Sequence, residues 1–435
     1  MPRPLTFDLA EQRVPRGQQY AVGVVLKFVA MVLDCGASLR CVAAVLELLS
    51  QHTGPDEITP HATTGRLWLM RIGLWALLRP KVVADDWVWM ADHSIQIGQC
   101  KCLVILGIRL SALPAGRPLC HEDMEPIALV PMTNSTKDTV AACLEETVAR
   151  TGVPRAIITD HGTDLHGGVE RFRQAHPETR EIYDITHKAA CLLKARLEAD
   201  PRWKQFTSQL GPAKFAIQQT ELAFLTPPSP RTKARFMNLN GVVEWGLETL
   251  AWVDDPSGLE RLGASAARVR EKLGWLATFR AALSEWSAYH VVIEGVLDFV
   301  RRRGLFVGAG VELASTLPAA SGTAAVLREQ LIAFVTAESS QARIGERLPG
   351  TTEVLESCFG KLKALEDGQS KSGFTGLVLS LGAMVSKRTV PSVAEALEKC
   401  RVRDVLDWCR KMLGMTVQSR RKQAYGPLRR AIKPT

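Results

Sequence analysis

The N-terminal part of the chain carries apolar side chains at helical spacing, which predicts three short helices. Two of them cover residues 18–34 and 39–49, and the third covers residues 63–79 and carries Arg66 and Arg71. Three short helices with arginines on the last are typical of a helix-turn-helix unit, in which those arginines contact DNA. A generic three-helix bundle is the alternative interpretation.

From residue 86 the apolar period changes from helical to strand-like. The order is three strands, a helix, a strand, a second helix and a strand, which is the order of an RNase H-like core. The pattern therefore predicts an α/β fold around a mixed sheet whose first three strands form an antiparallel meander. The predicted strands cover residues 87–97, 102–110, 127–132, 156–159 and 181–185, and the helices cover 135–150 and 168–175.

A long helical pattern follows, from His187 to about Arg347, in which strand signals are nearly absent. We expect an all-helical insertion into the core. Further helices are predicted around residues 353–363, 373–385 and 397–413. The predicted domains are a helix-turn-helix-like unit (1–80), the first part of the RNase H-like core (81–190), the helical insertion (191–348), the rest of the core (349–390), and a C-terminal helix with a basic tail (391–435).

The excess of positive charge is modest for the whole chain but concentrated at one end. Lys and Arg number 54 against 45 Asp and Glu, which gives a net charge of +9. Residues 401–435 hold ten basic and two acidic residues. Such a segment suits a polyanionic partner, so Arg420, Arg421 and Lys422 are predicted DNA contacts, and a solvated tail without a partner is the alternative.

The cysteines and the apolar runs give an expectation for the compartment. Ten cysteines are scattered without any C-x-x-C pair, which argues against a zinc ribbon and is typical of a reducing compartment. No signal peptide is visible, and the apolar run Tyr20–Leu33 is short and contains Lys27, so it predicts a buried helix and no membrane span. A cytoplasmic location is expected, associated with the nucleoid if the source is bacterial.

Three acidic residues stand where such a core could bring them together. Asp92 closes the apolar run WVWMAD on the first strand, Asp160 follows the fourth strand, and Glu356 lies on a late helix. Clustered carboxylates can hold two divalent ions about 3.5–4 Å apart, and Mg²⁺ prefers oxygen ligands. Each aspartate alone is better explained as a turn or cap residue. The ordered set predicts two-metal phosphoryl transfer with Mg²⁺ or Mn²⁺.

The choice of glutamate follows from helical geometry. At about 100° per residue, Glu356 and Lys363 share one stripe at the flank of the apolar face, whereas Glu353 points further into solvent. Glu356 is therefore the predicted metal ligand and Glu353 its rival. Lys363 is a predicted phosphate contact, and an ordinary surface lysine is the alternative.

The strand-borne Asp92, the strand-end Asp160 and the segment ESCFGKLK that begins at Glu356 resemble the DDE motif of transposases and retroviral-type integrases. The 196 positions between Asp160 and Glu356 resemble the transposases that carry a helical insertion there. The resemblance covers roughly residues 86–190 and 350–386. It implies metal-dependent cleavage of double-stranded DNA at element ends, then attack of the freed 3′-hydroxyl on target DNA, by at least a dimer.

Three further residues are secondary candidates. Asp184 and His187 follow the fifth strand and could orient a water, a metal or a phosphate, although a cap and a packing role are the ordinary explanations. Trp245 could stack on a flipped base or pack in a core. Two other functions stay open: a catalytically inactive or repurposed DNA-binding protein derived from a transposase, and a stand-alone RNase H-like nuclease.

Overall fold

The computed structural model describes residues 11–50, 59–97, 100–228, 239–256, 258–367, 375–415, 420–421 and 423–426. The chain divides into two compact units, of which the first is formed by Met1–Ile182 with Thr352–Thr435 and the second by Tyr183–Thr351. The predicted helical insertion, residues 191–348, lies wholly inside the second unit.

Five strands form one sheet in the order β3-β2-β1-β4-β5. Strand β1 is antiparallel to β2 and parallel to β4, and β2 is antiparallel to β3. The predicted mixed sheet with an opening antiparallel meander is therefore confirmed. The strands are β1 (Trp87–Ile97), β2 (Cys100–Arg109), β3 (Glu125–Met132), β4 (Ala156–Thr159) and β5 (Arg180–Tyr183).

Helices make up most of the rest of both units. The first unit contains α1 (Val22–Leu33), α2 (Leu39–Ser50), α3 (Ala62–Leu78), α4 (Lys137–Thr151) and α5 (Thr163–Ala175). The second contains α6 (Ile185–Ala199), α7 (Pro201–Ile217), α8 (Leu239–Asp254), α9 (Ala266–Leu273), α10 (Arg280–Arg303), α11 (Ala309–Thr316) and α12 (Gly322–Ser339). The first unit then continues with α13 (Glu353–Asp367), α14 (Ser380–Val385), α15 (Val390–Lys399) and α16 (Val402–Leu413). Short 3₁₀ helices cover Leu110–Ala112, His121–Asp123, Ala223–Leu225, Leu259–Leu262, Gly274–Phe279 and Gly376–Leu379.

The two faces of the sheet are covered by different helices. Alternate residues Trp87, Trp89 and Ala91 of β1 belong to a buried cluster with apolar side chains of α4 and α5. On the other side, α13 packs against β1, whereas α3 and α14 pack against β3. Because successive strand side chains point to opposite faces, the even-numbered residues of β1 face away from the α4 and α5 cluster.

The ends of α4 and α5 differ from the prediction in a way that their caps explain. The N-cap of α4 is Thr136 rather than Ser135, since the Thr136 hydroxyl accepts from the Thr139 amide in a capping box. Gly152, with φ 84°, ends α4. Helix α5 begins at Thr163, ahead of the predicted start at Gly168 and directly after the turn that follows β4.

Helix α3 is a central helix of the first unit rather than an exposed one. It packs against α1, α2, α14, α15 and α16, and most of its side chains are buried. A Cβ at Gly73 would lie 1.7 Å from the Leu379 carbonyl oxygen, so the backbones of the two segments touch there. The prediction that this helix presents arginines to DNA is therefore wrong for its buried positions.

At the C-terminal end, the single helix predicted over residues 397–413 is two helices, α15 and α16. Cys400 has extended backbone at the end of α15, and the Asp404 carboxylate accepts from the Arg401 amide at 2.7 Å where α16 begins. This bond satisfies a backbone amide at a new helix start, in the middle of an apolar pattern that otherwise continues.

The second unit is helical over its described residues, apart from an antiparallel bridge between Leu305 and Leu348. Its core includes a cluster of aromatic rings, in which Phe206 contacts Trp275, Phe279 and Trp286 at 5.3–5.8 Å between centroids. Helix α9 is followed directly by the 3₁₀ helix Gly274–Phe279. Across the described parts of both units, no helix combines the length and the apolar character that crossing a membrane requires.

Candidate functional site

Asp92 and Asp160 occupy neighbouring strand positions. Strands β1 and β4 are parallel and pair Val88 with Ala156 and Met90 with Ile158. Continued by two residues, that register aligns Asp92 with Asp160. Since neighbouring strands run about 4.8 Å apart, the two backbones are side by side at the carboxyl end of β4.

Side-chain alternation places both aspartates on the same face of the sheet. Trp89 of β1 and Ile157 of β4 belong to the cluster under α4 and α5. Asp92 and Asp160 each stand an odd number of residues from those positions, so alternation directs them to the opposite face, where α13 packs against β1. Both are partly buried.

Local hydrogen bonds hold the two carboxylates. The Asp92 Oδ1 atom accepts from the His93 amide at 2.5 Å, and the Asp160 Oδ1 atom accepts from the Gly162 amide at 2.8 Å. A Cβ at Gly162 would lie 3.1 Å from the same Asp160 oxygen, so glycine leaves room for that carboxylate in the turn.

Helix α13 has a buried apolar face and an exposed stripe that carries Glu356. Leu355, Phe359 and Leu362 are buried, whereas Glu356 and Lys363 are exposed and share one stripe. Val354 and Cys358 complete the buried face.

Glu353 does not point further into solvent than Glu356, so that part of the prediction is wrong. Glu353 is half-buried and Glu356 is exposed. The helical wheel fails here because Glu353 is the first residue of α13, and a helical side chain covers the turn that precedes it. No helical turn precedes Glu353, and the residue before it, Thr352, is buried.

The three predicted ligands do not share one tight cluster in this conformation. Within the described ranges, one group of three His, Cys, Asp or Glu residues has ligand atoms within 4.8 Å of one another, and it consists of His161, His166 and Glu181. The structure thus aligns Asp92 with Asp160 and places the helix of Glu356 against β1, without bringing the three carboxylates into that range.

A polar network lies beside the aspartate pair. Lys101 Nζ donates to Asp164 Oδ2 at 2.7 Å, and His93 Nε2 lies 3.0 Å from Ser135 Oγ and 3.9 Å from Asp164 Oδ2. Burial alone would raise the pKa of Asp164, but hydrogen bonds with Lys101 and Ser135 outweigh it and lower that pKa to about 2. Burial, with the positive charge of Lys101, lowers the pKa of His93. Asp164 lies in the first turn of α5, whose N-cap is Gly162.

The turn after Asp160 leads into a second cluster that the sequence did not single out. His166 Nδ1 donates to Glu181 Oε1 at 2.9 Å, and His161 Nε2 lies 3.4 Å from the same oxygen. Burial raises the pKa of the Glu181 carboxyl, and the hydrogen bond with Glu181 raises the pKa of His166. His161 adopts φ 58°, and it is the one non-glycine residue with positive φ in the described segments.

The arginines predicted to contact DNA have different environments. Arg71 is 5 % exposed, and its guanidinium donates to the carbonyls of Leu397 and Cys400 and to Gln18. It is a structural residue, so its prediction as a DNA contact is wrong. Burial lowers the pKa of Arg66, which is half-buried in the same helix.

Of the predicted tail contacts, Arg420 and Arg421 are exposed, and Lys422 lies outside the described residues. The structure therefore leaves two of the three guanidinium and ammonium groups in positions where a polyanion could reach them.

Two secondary candidates of the second unit, Asp184 and Trp245, make structural contacts. Asp184 is fully buried and caps α6 by accepting from the Thr186 amide at 2.7 Å. The His187 ring lies 6.0 Å from the Tyr183 ring. Trp245 is 9 % exposed, and its indole nitrogen donates to the Leu225 carbonyl at 2.8 Å, which supports the core-packing interpretation.

No protein-family model matches the chain, and no curated protein is similar to it at a significant level.

Proposed function

We propose that the protein is a metal-dependent DNA transposase of the DDE type. The observation that carries the proposal is the alignment of Asp92 and Asp160 on one face of the sheet, at the face where α13 packs against β1. The pairing of β1 with β4 thus brings together two acidic side chains that are far apart in the sequence.

The donor set fits hard divalent cations. Carboxylate oxygens are the ligands that Mg²⁺ prefers, and Mg²⁺ keeps several waters, so few protein ligands suffice. Asp92 and Asp160 would hold the ions, with Glu356 or Glu353 from α13 as a further ligand. When bound, two such ions activate the attacking oxygen and stabilise the leaving oxygen of a phosphodiester.

The topology supports an RNase H-like core. Three antiparallel strands open the sheet, a helix leads to a parallel fourth strand, and a second helix leads to the fifth. The helical unit between β5 and α13 interrupts this core where the insertion was expected from the resemblance to transposases.

Exposed positive groups suit a DNA backbone. Lys363 is exposed on the stripe of α13 that carries Glu356, two helical turns away, and the stripe faces solvent. Lys363 would position a phosphate close to the carboxylates, whereas Arg420 and Arg421 would add binding that is independent of DNA sequence. Because two element ends react together, we infer at least a dimer on DNA.

A catalytically inactive DNA-binding protein derived from a transposase is the second candidate. One observation favours it: the carboxylates of Asp92, Asp160 and Glu356 do not lie within 4.8 Å of one another, although metal binding would draw such groups together.

The test uses the purified full chain and a plasmid that carries the DNA flanking its gene on both sides. With MgCl₂ or MnCl₂ we expect cleavage at the flanks and joining of the freed ends to a second plasmid, both resolved by gel electrophoresis. Asp92→Asn and Asp160→Asn keep the hydrogen-bond acceptors of the side chains but remove the charge. They should lower cleavage at least about a hundredfold.

Matched controls separate the three functions. Asp85→Asn changes an exposed aspartate just before β1 and should cleave like the unaltered protein. Glu356→Gln and Glu353→Gln identify the glutamate ligand by which of them loses cleavage. Specific binding to the flanks without cleavage under either metal would favour the inactive DNA-binding protein. Cleavage of RNA–DNA hybrids without joining of DNA ends would favour a stand-alone nuclease.

A further inference from the structure

We propose that His161, His166 and Glu181 form a binding site for Zn²⁺ or a similar transition-metal ion. One nitrogen from each histidine and one carboxylate oxygen lie within 4.8 Å of one another. The site is separate from the carboxylates proposed to hold Mg²⁺, and its existence does not depend on the proposed function.

The ligand types select the class of metal. Imidazole nitrogen suits zinc and related ions, whereas Mg²⁺ takes oxygen ligands. Two histidines and one glutamate that leave a fourth position open form a known type of zinc site. The sequence spacing of these residues does not predict such a site, because they lie on three different segments. His161 lies in a turn, His166 on α5 and Glu181 on β5.

The distances already approach those of a tetrahedral site. With metal–ligand bonds near 2.0–2.2 Å, two ligand atoms of a tetrahedral ion lie about 3.4 Å apart. His161 Nε2 lies 3.4 Å from Glu181 Oε1, and His166 Nδ1 lies 2.9 Å from it, so small side-chain rotations would admit an ion. The two imidazole rings stack at 4.5 Å between centroids with 24° between their planes.

The backbone and the burial of the cluster are unusual for a simple ion pair. Glu181 is 6 % exposed, and a buried carboxylate is costly unless it is paired or binds a metal. His161 has left-handed backbone, which an L residue adopts at an energetic cost and which often marks a functional site. In this backbone conformation the His161 ring stacks on the His166 ring.

A second glutamate lies beside the other nitrogen of the His166 ring. His166 Nε2 lies 3.6 Å from Glu170 Oε1, and Glu170 is mostly exposed. Arg173, on the same helix, donates to the Thr179 carbonyl at 2.9 Å. A bound ion would fix the turn that carries Asp160, since His161 is the next residue.

The experiment is a titration of the chelator-treated full chain with ZnCl₂, followed by calorimetry and, with CoCl₂ in place of zinc, by visible absorption that reports tetrahedral coordination. We expect one ion per chain at this site and a rise in melting temperature on binding, because the ion binds the folded form. Excess MgCl₂ should not displace it.

Three variants test the ligands. His166→Ala and Glu181→Gln should each weaken Zn²⁺ binding at least about tenfold and lose the cobalt absorption, since even the loss of an outer-shell partner has an effect of that size. His161→Gly removes a ligand but suits the left-handed backbone, so it keeps the fold if a ligand variant fails to fold.

His176→Ala is the matched control, because His176 also bonds a glutamate, with its Nε2 atom 2.9 Å from Glu145 Oε2, but belongs to no three-residue group within 4.8 Å among the described residues. It should bind zinc normally. Absence of zinc binding by the unaltered chain, or equal binding by His161→Gly, His166→Ala and Glu181→Gln, would overturn the proposal and leave a buried histidine–glutamate ion pair.

Discussion

Replacing Arg71 by methionine tests the finding that the third helix is structural. The Arg71 Nε atom donates to the Cys400 carbonyl at 2.7 Å, and its terminal nitrogens donate to the Leu397 carbonyl and to Gln18 Oε1. The guanidinium thus bonds the carbonyls at the C-terminal end of α15, as arginine side chains often do. Methionine has a similar length and keeps the apolar stem but supplies no donor.

The expected loss of stability follows from these contacts. Three hydrogen bonds disappear, and the Cys400 carbonyl loses its guanidinium donor, whereas the Leu397 carbonyl still accepts from Gln18 Nε2 at 3.3 Å. Hydrogen bonds to a charged group contribute about 1.5–3 kcal/mol each. Burial, which lowers the pKa of Arg71, shows that the charged side chain is costly to bury, and that cost offsets part of the gain. We expect a net loss of roughly 3 kcal/mol.

The measurement is urea-induced unfolding of the full chain, with the melting temperature as a second readout. A loss of roughly 3 kcal/mol corresponds to a decrease of about 6–12 °C for a unit of this size. Arg40→Met is the matched control, because Arg40 is exposed on α2, and its free energy of unfolding should change by less than about 0.5 kcal/mol.

DNA binding separates the two interpretations of Arg71. An arginine that contacts a phosphate contributes about one to the slope of log affinity against log salt concentration. We expect an unchanged slope for Arg71→Met. A slope lowered by about one, together with a loss of stability under about 1 kcal/mol, would show that Arg71 faces DNA and that its buried position is wrong.

Other predictions concern pH, the tail and the aromatic core. Burial lowers the pKa of Lys81 from 10.5 to about 8, so the unfolded chain binds one more proton between those values, and this residue adds stability as the pH rises from 8 to 10.5. The gain in the free energy of unfolding is at most about 3 kcal/mol. It is measured by urea unfolding at pH 8 and pH 10.5 for the unaltered chain and for Lys81→Met. Equal pH dependence in the two proteins would contradict the lowered pKa. Combined Arg420→Ala and Arg421→Ala changes should lower the salt slope of DNA binding by about two, and an unchanged slope would exclude these residues from the interface. Trp245→Phe should cost about 1 kcal/mol through its lost hydrogen bond and leave DNA binding unchanged, whereas weakened DNA binding at unchanged stability would support base stacking.

The strands were predictable because their side chains are constrained by the sheet on both faces. The limits of β1 and β4 agree with the predicted ones, since each strand begins with a run of apolar residues that includes Trp89 or Ile157. Strand β5 ends earlier than predicted because the buried Asp184 caps α6 instead of continuing the strand. A cap depends on the three-dimensional position of a carboxylate, which the apolar period does not contain.

The position of Arg71 was not inferred from its neighbours, although a signal was present. The segment LWLMRIGLWALL is apolar around the whole helix, which is typical of a buried helix rather than of one with a polar face toward DNA. The arginine alone does not decide, because arginine is common both at DNA-binding surfaces and at buried helix ends. Only the carbonyls of α15, which comes near the end of the chain, decide between the two.

The cluster of His161, His166 and Glu181 could not be predicted from spacing. Glu181 and His166 lie on different elements, and their approach depends on β5 lying beside β4 in the sheet. The positive φ of His161 is also invisible in the sequence, since glycine or asparagine is the usual residue in that conformation.

How the candidate carboxylates would meet follows from the way α13 is held. The Lys361 Nζ atom donates to the Leu33 carbonyl at 2.9 Å, and Ser357 Oγ lies 3.1 Å from His121 Nε2, so contacts on two sides fix the helix to the first unit. Its buried apolar face against β1 makes a shift of the whole helix costly. Under the proposed function, Glu356 would reach the ions through its own side chain, whereas Asp92 and Asp160 are aligned by the pairing of β1 with β4. The aspartate pair would then set the position of the ions, and the glutamate would complete the site.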